Sequence, residues 1–219
     1  MNPRTGQGSV SGPAGAIECA IDAPAAGRAD RGVAVLCHPH PLHGGTMDNK
    51  VVQTLARALV SLGFRCVRFN FRGIGASAGV WDEGRGEVDD ALAVVAAHRT
   101  GGGPLVLGGF SFGGAIAAQA AARLAGTDAA ADRLLLVAPA VLNFDTPPVP
   151  ADTLVIQGEA DDVVPMAAML DWARPQSLPV TVVPGAGHFF HGRLPVLKQI
   201  VVAAFAVQAA QQTAAASAA

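Results

Sequence analysis

The sequence predicts an α/β domain, with a mostly parallel, twisted sheet covered by helices on both faces. Three observations carry this expectation. Apolar runs of strand length alternate with segments of helical periodicity from about residue 32 onward. Runs such as Val33-Ala34-Val35-Leu36-Cys37 are continuously apolar rather than alternating, as in strands buried on both faces. The 219 residues show no internal break in composition, so one domain spanning 1–219 is expected.

The elements follow in order. Val10–Asp22 reads as a short antiparallel hairpin, with Ser11-Gly12-Pro13-Ala14-Gly15 as its turn. Strands are expected near 32–37, 65–71, 104–109, 132–138, 153–158 and 179–184. A helix near 49–62 places Val51 or Val52, Leu55, Leu59 and Leu62 on one face and stops at Gly63. Another near 85–99 carries Val88, Leu92 and Val95. Phe112 to Leu124 is nearly all small and apolar, which suits a helix buried against the sheet. The last helix begins near 193 with Leu197, Ile200, Val201, Ala204 and Phe205, and the Ala/Gln-rich residues 209–219 read as a fraying end.

The most specific chemistry lies in Gly109-Phe110-Ser111-Phe112-Gly113, between the run Pro104–Gly108 and the helix. Strand, Gly-x-Ser-x-Gly turn, then helix is the context of a nucleophile elbow, whose tight turn pushes a strained serine out above the sheet. Such a serine needs a base and a group to orient it. Downstream histidines are confined to His188 and His191, after the strand Val180–Val183 and a Gly-containing turn. An orienting carboxylate is available in Gly158-Glu159-Ala160-Asp161-Asp162, where a buried strand ends.

With these residues the chain resembles a small bacterial serine hydrolase of the α/β-hydrolase superfamily, of the type without a cap domain. The resemblance rests on His38-Pro39-His40-Pro41-Leu42-His43 with the following Asp48-Asn49-Lys50-Val51, on Asn70-Phe71-Arg72-Gly73-Ile74-Gly75, on the elbow, and on the turns at 158–165 and 187–190. It covers about residues 33–193. It implies an α/β-hydrolase fold, with Ser111 as nucleophile followed in chain order by an acid and then the base. The pattern Gly-x-x-Asp-x-x-Val-Pro puts the acid on Asp161 and leaves Glu159 and Asp162 as turn carboxylates. The base position falls on His188, with His191 at the rim.

The resemblance also implies an oxyanion hole of two backbone amides. One donor is the N–H of Phe112, after the nucleophile. The other should come from the loop after the strand 32–37, where relatives carry His-Gly-x and this chain has His38-Pro39-His40-Pro41. Pro39 and Pro41 have no N–H, so His40 or Leu42 is left as the donor.

His38, His40 and His43 admit a rival reading as metal ligands. Against it, the residue beside the third histidine is Leu42 rather than a carboxylate, and two prolines restrict the run. No metal or organic cofactor is therefore expected.

Composition narrows the function further. The net charge is −2 with 15% charged residues, so neither nucleic acid nor an anionic membrane is an expected partner. The first sixteen residues lack a secretory pattern, and Cys19, Cys37 and Cys66 read as reduced core thiols, pointing to the cytoplasm. About a dozen residues separate the strand ending near Val141 from Thr153, too few for a helical cap, so an open cleft is expected. Its rim would be Asn143–Pro148 and Gly79–Glu83, where Trp81 either anchors the loop or meets substrate. Arg72 reads as a structural, hydrogen-bonding arginine.

The expected activity is hydrolysis of a small-molecule carboxylic ester, of short chain, through an acyl-enzyme. Thioesters and amides suit the same machinery. A non-catalytic binding module and a metal-dependent hydrolase through His38, His40 and His43 are the readings from other classes.

Overall fold

A computed structural model describes residues 5–26, 31–99 and 103–216. Its strands are β1 (Thr5–Gly12), β2 (Gly15–Asp22), β3 (Val33–Cys37), β4 (Arg65–Phe69), β5 (Leu105–Phe110), β6 (Arg133–Val137), β7 (Leu154–Gly158) and β8 (Val180–Val183). Among the described residues they form one sheet in the order β1-β2-β4-β3-β5-β6-β7-β8. β1 and β2 pair antiparallel, β2 joins β4 antiparallel, and every pair from β4 to β8 is parallel. The hairpin is longer than its apolar part announces, because the polar residues from Thr5 also pair.

The helices are α1 (Lys50–Ser61), α2 (Arg85–His98), α3 (Phe112–Leu124), α4 (Met166–Ala173) and α5 (Leu194–Ala216). Strand side chains alternate between two apolar layers. Val33, Val35, Leu105, Leu107, Leu134, Leu136 and Val155 pack with α2, α3 and α4. Ala34, Leu36, Val106, Leu135, Val137 and Ile156 pack with Val51, Leu55 and Leu59 of α1 and Leu197, Val201 and Phe205 of α5. This two-sided burial is why the strands read as unbroken apolar runs.

Local chemistry sets the boundaries. Asn49 caps α1, its Oδ1 accepting the Val51 and Val52 N–H groups. Glu87, fully buried, closes the start of α2 by accepting from the amides of Asp82 and Gly84. α5 runs as helix to Ala216. Residues 217–219 lie outside the described ones. α4 is the element the sequence reading did not name.

Two arginines, Arg68 buried and Arg72 partly buried, tie the loops that frame the sheet's carboxyl edge. Arg68 Nε donates to Asp22 at 2.7 Å, and its Nη1 reaches the Met47 carbonyl at 2.7 Å, pinning the approach to α1. Arg72 grips Asp90 of α2 with two parallel bonds of 3.0 and 2.8 Å, which is the structural role expected for it. Cys19, Cys37 and Cys66 are buried and unpaired, and desolvation pushes their thiols up, that of Cys19 to about 11.

Candidate active site

β5 ends at Phe110 and α3 begins at Phe112, so Ser111 alone makes the turn, at φ 55° and ψ −121°. A residue with a Cβ is held there only if its surroundings fix it. Its N–H donates to the Val137 carbonyl at 2.9 Å, and its own carbonyl accepts from Gly114 at 2.9 Å and Ala140 at 3.1 Å. The flanking glycines are sterically required. A Cβ on Gly109 would lie 2.1 Å from the Gly113 carbonyl oxygen, and one on Gly113 would lie 2.3 Å from that of Cys37.

Two other loops of the same edge converge on this hydroxyl. His188 Nε2 lies 3.0 Å from Ser111 Oγ, and His188 Nδ1 lies 2.8 Å from Asp161 Oδ2. Asp161 is also held by the N–H groups of Val163 at 2.9 Å and Val164 at 2.8 Å, and by Gln157 Nε2 at 3.1 Å. A carboxylate so placed is acceptor-only, so Nδ1 carries the imidazole proton and Nε2 is left to accept from the Ser111 hydroxyl. All three side chains are nearly buried, with residue exposures of 8% for Ser111, 5% for Asp161 and 4% for His188.

Asp162 is exposed, and Glu159 uses Oε2 to accept the Gly185 N–H at 2.9 Å, tying the acid turn to the loop that carries His188. The structure thus brings Asp161, and not its two neighbours, to the imidazole. Gln157 was missed in the sequence. It bridges Asp161 and the Val164 carbonyl from within β7, and the available signal was a lone amide in an apolar strand.

The histidine loop after β3 is built around its rings. His38 is fully buried, donates from Nδ1 to the Pro39 carbonyl at 2.6 Å and accepts the Phe71 N–H on Nε2 at 3.1 Å. Burial lowers its pKa to about 4, so the ring is neutral. His40 caps the short 3₁₀ turn Pro41–His43, and its Nδ1 accepts the Leu42 N–H at 3.2 Å. Burial, and then the neighbouring His43, hold His40 below the usual histidine range. Among the described residues, the amides of His40 and Phe112 have no hydrogen-bond acceptor, whereas that of Leu42 is occupied.

Both nitrogens of His38 and one of His40 are therefore engaged within the protein. Among the described residues no three His, Cys, Asp or Glu side chains gather as metal ligands.

The His40 ring stacks on His43 at 4.4 Å and meets Trp81, Phe112 and Phe144 at 4.6, 5.3 and 5.6 Å. Trp81 thereby anchors the 79–84 loop over the start of α3. Residues 138–153, between β6 and β7, carry neither helix nor strand, so no cap covers the site. A cavity of about 290 Å³ lies at the other end of α3, beside Ala122, Ala125 and Pro148. That end of the helix is roughly 20 Å from Ser111. Among the described residues no helix is long and apolar enough to cross a membrane.

Several known proteins are similar to this chain. The family described as serine aminopeptidase, S33, matches residues 35–151. A lidless α/β serine hydrolase from Xanthomonas campestris is 39% identical, covering 93% of this chain and 94% of its own, with a TM-score of 0.83. An α/β serine hydrolase homologue from Coxiella burnetii is 41% identical, covering 92% and 97%, with a TM-score of 0.82. An uncharacterized protein of Rickettsia prowazekii is 33% identical over 72% of this chain and 71% of its own.

Proposed function

Because the chain belongs to the serine aminopeptidase, S33, family of the α/β-hydrolase superfamily, we propose that it hydrolyses small carboxylic esters through an acyl-enzyme on Ser111. The observation that carries this reading is the unbroken line Ser111 Oγ, His188 Nε2, His188 Nδ1, Asp161 Oδ2, with contacts of 3.0 and 2.8 Å. Ser111 attacks the carbonyl carbon while its proton passes to His188. Asp161 keeps the imidazole in the right tautomer and stabilises its charged form.

The oxyanion is held by the amides of Phe112 and His40. His40 is the better match than Leu42 because the Leu42 N–H already serves the 3₁₀ turn, and only an unoccupied donor can meet developing charge. His38 acts as a positioning residue, since its bond to the Pro39 carbonyl fixes the Pro39–His40 peptide whose N–H is that donor. The route draws on side chains and backbone amides alone. The unpaired thiols of Cys19, Cys37 and Cys66 support a reducing compartment, the cytoplasm.

A fluorophosphonate probe is expected to label Ser111 and no other residue, as read by peptide mapping. Labelling elsewhere, or none, overturns the assignment. The family's description names aminopeptidases, so amide cleavage is the competing reading. Alanine 4-nitroanilide and alanine 4-nitrophenyl ester share an acyl group and separate the two. The ester is expected to be turned over and the anilide to lag by orders of magnitude; comparable rates would favour the peptidase.

The uncovered 138–153 connection also bears on substrate size. Each buried methylene is worth about 0.8 kcal/mol, or roughly fourfold in binding. A deep acyl pocket therefore gives kcat/KM values that climb with chain length, whereas an open cleft does not. From acetyl to palmitoyl 4-nitrophenyl esters, kcat/KM should level off or fall after a few carbons. A maximum at twelve carbons or more would contradict the short-chain reading.

A further inference from the structure

Phe189 has no part in the chemistry described so far, yet it adjoins the base and is 47% exposed. Its ring stands edge-on to the His188 imidazole, with centroids 5.1 Å apart and planes at 85°. The next residue, Phe190, is fully buried at φ 52°, with its N–H on the Gly187 carbonyl at 3.0 Å and its carbonyl on the Arg193 N–H at 2.9 Å. Anchoring Phe190 inward turns Phe189 out. The exposed ring is nonetheless held, because His191 stacks along it at 5.8 Å and 21°, and Phe110 meets it at 6.0 Å. On the neighbouring acid turn, Val163 is also 47% exposed, its N–H fixed by Asp161 Oδ1 at 2.9 Å. Acid turn and base turn thus each present one apolar side chain at the surface.

The path of the proton decides which half of an ester lies there. When the tetrahedral intermediate collapses, the acyl C–O bond breaks and its electron pair goes to the departing oxygen. That oxygen takes the proton from His188 Nε2. The acyl group stays on Ser111 Oγ, the alcohol leaves neutral, and His188 returns to its neutral form. The departing oxygen must therefore sit within hydrogen-bond reach of Nε2, and the group it carries lies against the residues beside His188. Resting on the acyl-enzyme reading above, we infer that Phe189, backed by His191, forms a leaving-group subsite selecting esters whose alcohol carries an apolar ring of benzyl type. A ring there gains area burial and an aromatic contact on a surface already ordered before substrate arrives.

The subsite acts before the alcohol departs and has no further role once it has gone. The test uses benzyl acetate and 2-methoxyethyl acetate, whose alcohols are similar in acidity and which form the same acetyl-enzyme. Their kcat/KM values report acylation, and a burst experiment with 4-nitrophenyl acetate reports deacylation. The protein is expected to prefer benzyl acetate by roughly tenfold or more. Phe189→Ala should lower kcat/KM for benzyl acetate at least roughly tenfold more than it lowers the deacylation constant. Phe189→Leu, which keeps apolar bulk without the ring, should retain part of the preference.

Equal losses in acylation and deacylation would make Phe189 a mere prop for His188 and overturn the inference. Turnover of both acetates without preference would overturn it while leaving the acyl-enzyme reading standing. Failure of either acetate to acylate Ser111 would remove that reading, and the subsite with it.

Discussion

Replacement of Ser111 by alanine is expected to lower kcat on small 4-nitrophenyl esters by about 10⁶ while leaving the fold intact, because triad members act as a unit. The backbone at this position sits at φ 55°, a conformation as costly for alanine as for serine. The substitution therefore removes the hydroxyl without adding strain, and the bonds to Val137, Gly114 and Ala140 are made by the main chain. Circular dichroism and the thermal midpoint should match the parent. An alanine variant retaining most of its activity would show that the nucleophile lies elsewhere. A chelator belongs in the same assay: full activity in EDTA is expected, and a loss reversed by zinc would revive the histidine-metal reading.

The second large effect separates two adjacent carboxylates. Asp161→Asn should cost up to roughly 10⁴ in kcat, whereas Asp162→Asn should stay within about twofold. Asp161 accepts on both oxygens, from Val163 and Val164 on one and from His188 and Gln157 on the other. Asparagine has a single acceptor. If that oxygen serves the two amides, its NH₂ faces His188 Nδ1 and forces the proton onto Nε2, where it blocks acceptance from Ser111. Asp162 is exposed and makes none of these bonds. Equal losses at the two positions, or a larger one at Asp162, would refute the arrangement.

Much of this was legible in the sequence because local chemistry fixes it. The α3 limits Phe112–Leu124 follow from the elbow glycine pattern and the small-residue run, and the structure places them there. The parallel strands were readable because burial on both faces removes polar residues from them. α4 escaped because Met166–Ala173 is short and apolar almost all round, so it shows little helical periodicity. The choice between His40 and Leu42 was not readable either. The proposed choice rests on the His40 imidazole accepting the Leu42 amide, a contact that the spacing of the proline-bounded run does not announce. Phe144 meets Phe112 from a distant part of the chain, which no local pattern announces, whereas Gln157 reaches Asp161 and Val164 close by and was signalled only by its lone amide in an apolar strand.

One consequence of the missing cap concerns heat. Ser111 stands one residue after Phe110 of β5, Asp161 three after Gly158 of β7, and His188 five after Val183 of β8. These strands belong to one continuous hydrogen-bonded sheet, with β6 between β5 and β7. Enzymes that close a lid own a weakly held part that melts early and takes activity with it. In this protein each of the three proposed catalytic residues follows a strand of that sheet within five residues. Inactivation and global melting should therefore trace a single curve, with no warm, folded, inactive state between them.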